Sequence, residues 1–367
     1  MIKKIAIASI LKPVDDVRGY WKIAQSLAKT NKYEVNIIGN VGKKESDHPK
    51  IIFHSNRIHR NQWVKRVILS YKILVILFKL KPSIIIITTH ELLLISLIIK
   101  LLINSKIIYD VQENYRCNIK LQKSLPRKIY SHFVGLKEDL LSRWIDHFWF
   151  AEKHYLEELN YGKNNHSILQ NKAIKINKPV DIRFADMRII FSGTVSNYSG
   201  ASIAMDIMQS IISEKPKSHG MFIGQIHDSK LKLLLFNKAY KNRNIQMILS
   251  KHPIPYDQIL EKIQWANLAI IAYTPDEVNY RKMPTKLYEY SRYGLPFLVQ
   301  EKTLWSKTGK RMGGAIPIDL LNPNMKKIME TLENPERLFS ASYHYNDTWE
   351  HESQKLINSI NDLLINI

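Results

Sequence analysis

Met283-Pro284-Thr285-Lys286-Leu287-Tyr288-Glu289-Tyr290-Ser291-Arg292-Tyr293-Gly294-Leu295-Pro296 runs directly into Phe297-Leu298-Val299, and this stretch decides the fold. Proline has no N–H to lose in the first turn of a helix, so Pro284 marks a helix start, and the free amides behind it suit a phosphate or a hydroxyl. Gly294 stops that helix, and Leu295-Pro296 turns the chain into an apolar strand at 297–299. A helix that feeds a short apolar strand is the repeating step of an α/β sheet.

The same step recurs upstream. Strands are predicted at 189–191, 220–223, 245–249 and 268–272, with helices at 202–213, 229–237 and 256–266 between them. Residues 171–179, rich in lysine and asparagine and ending at Pro179, form a linker. Before it, strands at 5–11, 33–38, 50–53, 83–88, 106–109, 148–150 and 167–169 alternate with helices at 19–30, 64–79 and 91–102. Near-continuous apolar strands separated by helices predict parallel sheets covered on both faces. At 367 residues the chain exceeds what one core usually supports. Two Rossmann-like domains are therefore expected, at 1–178 and 179–345, followed by a helical tail at 346–367.

The pattern Pro284-x-Lys286-Leu287-x-Glu289-Tyr290-x-x-x-Gly294-x-Pro296 resembles the donor-site signature of the GT-B glycosyltransferases, and most of all their retaining family 4. That resemblance implies two parallel-sheet domains facing across a cleft, with the last helix crossing back to the first domain. It also implies transfer of a sugar from a UDP- or GDP-linked donor to a glycan or a polyprenyl-diphosphate-linked saccharide, as in bacterial surface polysaccharide or lipopolysaccharide synthesis. No metal or further cofactor is expected. Glu289 matches the residue that holds the donor ribose, with Lys286 and Leu287 beside it; a helix pair with Arg292 or Lys286 is the plainer reading of Glu289.

Loops after strands are where open α/β sheets bind ligands. Phe191-Ser192-Gly193-Thr194-Val195-Ser196-Asn197-Tyr198-Ser199-Gly200 resembles the family's diphosphate loop, yet Thr194 and Ser199 stand where an arginine and a lysine are usual. Arg281 and Lys282, or Lys286, are the candidates to balance charge on the leaving diphosphate. Gly224 permits close backbone approach to the nucleotide. In the first half, Asp110-Val111-Gln112-Glu113 resembles an Asp-x-His-Glu segment in which Gln112 replaces histidine, and an amide takes no proton at neutral pH. Asp110 and Glu113 are candidate catalytic groups, and Asp16, Arg18, Gln112 and Glu113 are candidate acceptor contacts. The plainer readings are a cap for Asp110, a solvated carboxylate for Glu113 and an incidental ion pair for Asp16 and Arg18. Asp15-Asp16 and Asp276-Glu277 are the acidic pairs nearest to metal-ligand spacing; adjacent loop acids are ordinarily just solvated.

The formal net charge of +21 is uneven, with 31 Lys/Arg against 14 Asp/Glu in residues 1–180 and 23 against 19 in residues 181–367. At 64–78, apolar residues at 64, 67, 68, 71, 74, 75 and 78 make a helical stripe, with Lys65, Arg66, Lys72 and Lys79 off it and Arg57 and Arg60 just before it. Two readings are open: a helix lying on an anionic membrane surface, or a stripe buried in the domain with a solvated basic rim. No apolar run reaches the roughly 18 uninterrupted residues of a membrane span. The apolar start at 5–11 suits a buried strand better than an export signal. One cysteine, Cys117, excludes an intrachain disulfide and suits a reducing compartment, so a cytoplasmic protein, peripheral on the membrane, is expected. The charge also admits nucleic-acid binding, but no zinc finger, helix-turn-helix or aromatic platform accompanies it. A nucleotide-sugar epimerase or a catalytically weakened GT-B subunit is the alternative kept open by Thr194, Ser199 and Gln112.

Overall fold

A computed structural model describes residues 2–56, 63–116, 125–159, 161, 165–176, 186–240, 242–276, 279–339 and 345–365. The side chains of residues 63–65, 125–127 and 345 lie outside that description, as do Arg57, Arg60, Cys117 and Glu277. The chain divides into two compact units, Met1–Asn171 with Trp349–Ile367, and Lys172–Thr348.

Among the described residues the first unit is built on seven strands, β1 (Lys3–Pro13), β2 (Tyr33–Asn40), β3 (Ile51–Asn56), β4 (Ile84–Ile87), β5 (Lys106–Val111), β6 (His147–Phe150) and β7 (His166–Ile168). They lie in the order β3-β2-β1-β4-β5-β6-β7, and every pairing is parallel. The reason is visible at the centre of the sheet. Strand β4 consists of four isoleucines, all buried, which only a sheet covered on both faces can accommodate.

Strand order also places the helices. Parallel crossovers are right-handed, so the successive steps β3 to β4, β4 to β5 and β5 to β6 put α2 (Trp63–Leu80), α3 (Leu93–Ile103) and α4 (Leu125–Leu141) on one face. Helix α3 packs against both neighbours. The reverse step β1 to β2 puts the wide helical turn Val17–Ala24 and α1 (Gln25–Lys29) on the other face. A small helix, α5 (Tyr155–Glu158), follows β6.

The second unit holds β8 (Arg188–Thr194), β9 (His219–Gln225), β10 (Ile245–Ser250), β11 (Leu268–Ile271), β12 (Phe297–Gln300) and β13 (Ala315–Ile318), in the order β10-β9-β8-β11-β12-β13 and again all parallel. Its helices are α6 (Ala201–Glu214), α7 (Ser229–Tyr240), α8 (Tyr256–Trp265), α9 (Thr285–Tyr293), α10 (Leu304–Met312) and α11 (Met325–Leu332). The last helix, α12 (Trp349–Ile365), belongs to the first unit. There Trp349 donates to Ser26 at 2.9 Å, and the fully buried Glu352 accepts from the Gln170 amide at 2.8 Å and from Lys355. Buried Lys22 fastens the end of the unit by donating to the carbonyl and side chain of Asn171.

Most of the stripe predicted on α2 faces outward, although Leu74 packs partly against the core and Val75 is half-buried. The buried residues of α2 are instead Leu69, Ile73 and Leu77, while Val67, Ile68, Tyr71 and Phe78 are exposed. Helices α4, α10 and α11 and strand β13 were not predicted from the sequence.

Two consequences are measurable. A Cβ on Gly224 meets the Gly193 carbonyl oxygen at 1.6 Å, so Gly224→Ala forces the ends of β8 and β9 apart and costs about 3 kcal/mol in denaturant unfolding. His147, buried on β6 against Ser167 (2.9 Å), is pushed down to about 4 by burial and by neighbouring His166. An unfolded chain therefore binds a proton there that the folded one refuses, and stability falls as pH drops from about 6.5 to about 4. Replacing His147 with Gln should flatten that part of a pH–stability profile.

Candidate functional site

In the second unit the candidate residues gather at the carboxyl ends of β8 and β9 and along one face of α9. Gly193, at φ +95°, is the penultimate residue of β8 and sits opposite Gly224 in the β9 register. A side chain at Gly193 would collide with Lys286, whose Nζ lies 2.5 Å from the Cβ position. Lys286 is half-buried, with its ammonium 5.7 Å from the centre of the Phe191 ring. Among the described residues it has no carboxylate partner.

Helix α9 opens at Pro284 without a side-chain cap on its first turn, and closes at Gly294 in the left-handed region, with φ 71°. One turn beyond Lys286 is Glu289, buried to 8% exposure, whose Oε1 accepts from the Tyr256 hydroxyl at 2.9 Å. Tyr256 also bonds Tyr293 at 2.9 Å. Burial, then the Glu289 charge, hold the Tyr256 phenol far above its ordinary value, so it stays a donor to the carboxylate. Tyr290 bonds Ser192 at 2.9 Å, stitching the same helix to β8. The sequence assigned no role to the Tyr256 or Tyr290 hydroxyl, because tyrosines in an apolar pattern look like core; Tyr290 stands in the signature pattern, and Tyr256 is marked only by its place at a helix start after a strand.

The remaining candidates are placed differently. Leu287 is fully buried in the core, and its amide donates to the Pro284 carbonyl. Thr194 is exposed. Ser199 is buried and spends its hydroxyl on Ser196 within the loop, so it offers no replacement for a cation. Arg281 and Lys282 are half-buried in the turn before α9. That turn is shaped by Asp276 and Asn279, which bond each other's amides at 2.8 Å, while the Trp305 indole donates to the Lys282 carbonyl at 2.7 Å. An open groove of about 890 Å³ lies elsewhere on this unit, over β13, lined by Lys307, Lys310, Lys327 and Arg337 among others.

In the first unit, Arg18 and Asp110 form a buried ion pair at the carboxyl ends of β1 and β5. Nε and Nη2 of Arg18 both donate to the carboxylate, the shortest at 2.6 Å, and Nη2 also donates to the Leu169 carbonyl. Its Nη1 is buried with no partner among the described residues. Gln112 donates to Asp110 at 2.7 Å and accepts from Lys12. Asp110 is thus saturated with donors and neutralised by a guanidinium, which suits positioning rather than proton transfer. Asp16 caps the following helical turn by accepting from the Arg18 and Gly19 amides, each at 3.1 Å. Asp15 accepts from the Lys43 and Lys44 amides. Glu113 is exposed. No group of three or more potential metal ligands occurs among the described residues.

His90, just beyond β4, was not foreseen. It is buried, its ring edge-on to Tyr115 and Tyr130, and Lys137 Nζ approaches its Nδ1 at 3.4 Å. Burial lowers the pKa of both His90 and Lys137.

No protein-family model matches the chain, and no curated protein does. Solved structures match it end to end. Sucrose-phosphate synthase from Thermosynechococcus elongatus is similar at a TM-score of 0.69 with 12% identity over 100% of both chains. HepE from Anabaena, in complex with UDP-glucose, is similar at 0.62 with 10% identity over 99% of this chain and 100% of that one. A candidate UDP-N-acetylglucosamine 2-epimerase from Listeria monocytogenes is similar at 0.57 with 12% identity over 100% and 98%.

Asp110→Asn leaves the Arg18 guanidinium buried without its counter-charge and should cost about 3 kcal/mol, read from urea unfolding at neutral pH. Two Rossmann-like units, each a parallel sheet flanked by helices and matched over their full length by these structures, give the chain an α/β fold of GT-B type.

Proposed function

We propose that the chain is a nucleotide-sugar-dependent glycosyltransferase whose donor diphosphate sits at the carboxyl end of β8. The observation that carries this reading is Lys286, a half-buried ammonium without a carboxylate partner among the described residues, held against the bare backbone of Gly193. A cation taken partly out of water without a counter-ion is costly unless an anion joins it. The uncapped α9 amides add partial positive charge on the same side. Lys286, with Arg281 and Lys282 in the preceding turn, takes the part of the two cations absent at Thr194 and Ser199. Glu289, oriented by Tyr256, holds the ribose hydroxyls. Gly224 keeps the neighbouring strand end free of side chain.

In this reading the sugar–phosphate bond breaks as charge grows on the leaving diphosphate, where Lys286 stabilises it. The acceptor hydroxyl attacks the sugar carbon, and its proton passes to the departing phosphate oxygen, which gives retention without a separate base. The commitment of Asp110 to Arg18 favours that route, since the carboxylate oxygens are already occupied by the guanidinium and the Gln112 amide. The donor is a UDP- or GDP-sugar, after the UDP-glucose bound to the Anabaena protein and the signature helix of family 4. The acceptor is a glycan or a lipid-linked saccharide, with contacts assigned to Gln112 and the exposed Glu113. Arg18 holds that loop through Asp110, and Asp16 caps the turn that carries Arg18.

Calorimetry at near-physiological salt with UDP, GDP, CMP and their sugar conjugates tests the donor site. Saturable binding of a UDP or GDP species is expected, weakened about tenfold by Lys286→Ala, or about 1.4 kcal/mol. Glu289→Gln should weaken it by a similar factor. No binding at millimolar nucleotide contradicts the reading. Conversion of a nucleotide sugar to its epimer, with no acceptor and no net release of nucleoside diphosphate, would replace transfer by epimerisation at the same site.

A further inference from the structure

The three helices on one face of the first sheet have two apolar sides. Their inner stripes, such as Leu69, Ile73 and Leu77 on α2, are buried against the sheet. Their outer stripes are also apolar. On α2, Val67 (70% exposed), Tyr71 and Phe78 share one side. On α3, Leu94, Leu101 (82% exposed) and Leu102 do the same. On α4, Ile129, Phe133, Leu136 and Leu140 recur at spacings of three and four, with exposed Trp144 just beyond. Thirteen of the twenty-five exposed large apolar residues among those described fall on these three helices and Trp144. Because the helices are adjacent, this is one patch, and patches of such breadth mark an interaction surface.

Charge identifies the partner. The three helices carry eight Lys/Arg and two acidic residues, Glu138 and Asp139. Both acids are already engaged by Arg116, at 3.0 Å and 2.7 Å. Lys72, Lys79 and Lys128 are exposed beside the apolar stripes, and Lys81 and Arg143 continue the rim. Among the described residues, no helix is long and apolar enough to cross a membrane. A second copy presenting the same face would oppose like charges across the contact. An apolar surface with a basic rim instead matches an anionic lipid headgroup layer over acyl chains.

We propose that the outer face of α2, α3 and α4 docks flat on an anionic phospholipid bilayer, with the apolar stripes among the acyl chains and the lysines at the phosphates. The proposal stands apart from the nucleotide site, which lies in the other unit.

Flotation of the full chain with vesicles of phosphatidylcholine, with and without about 30 mol% phosphatidylglycerol, tests it. Partition into anionic vesicles should exceed that into neutral ones by about tenfold and weaken with salt. Leu101→Glu combined with Phe133→Glu should reduce it by about tenfold or more at an unchanged thermal melt, since both side chains are exposed. Lys72→Glu with Lys79→Glu keeps the apolar face and should lose the preference for anionic lipid. Absence of vesicle binding, equal binding to neutral and anionic vesicles, or a dimer in solution that the Leu101 and Phe133 substitutions dissociate would each overturn the proposal.

Discussion

A parallel strand buried on both sides needs a helix layer above and below it, and that requirement organises both units. It explains the unbroken isoleucines of β4, and it returns the chain through a helix between most successive strands, β2 to β3 being joined by a loop. It also sends every strand in one direction, so loops rich in polar residues collect at the carboxyl ends. The Arg18–Asp110 pair and the Lys286–Gly193 contact both lie at carboxyl ends of strands for this reason.

The two places are chemically opposite. In the first unit the charges are neutralised internally: Asp110 receives Arg18 and Gln112, and Lys12 completes the chain through the Gln112 amide. In the second, the charge on Lys286 is left without such a partner among the described residues, while Glu289 is braced by Tyr256. One arrangement holds loops in place. The other keeps a cation and a hydrogen-bond acceptor on one face of one helix, as a diphosphate joined to a ribose requires. Glycine at 224 matters because a methyl group there would meet the Gly193 backbone, and glycine at 193 because one there would meet the Lys286 side chain.

Much of this was legible in the sequence. Strands such as 33–38 and 245–249 emerged because short apolar-rich segments bounded by polar residues leave little choice, and Pro284 and Gly294 fixed both ends of α9. Helix α4 was not legible, because its inward side holds Ser131 and Glu138 while its outward side is apolar, which inverts the usual amphipathic pattern. Strand β13 was hidden by Pro317, which a central strand would exclude and an edge strand tolerates. The stripe on α2 was found, but its direction was not, since periodicity alone cannot say which side faces a sheet. At the site, Lys286, Glu289 and Gly193 were named from pattern. The Tyr256 and Tyr290 hydroxyls that orient the helix depend on contacts more than thirty positions away in sequence, which no local window contains.

The location of a bound diphosphate tests the central claim most directly. In crystals grown with a saturating nucleoside diphosphate, the phosphates should lie within hydrogen-bonding reach of Lys286 Nζ and the Gly193–Thr194 backbone, with the ribose at Glu289. Phosphates found instead in the basic groove beside Lys307 and Lys310, with Lys286 still unpaired, would contradict it.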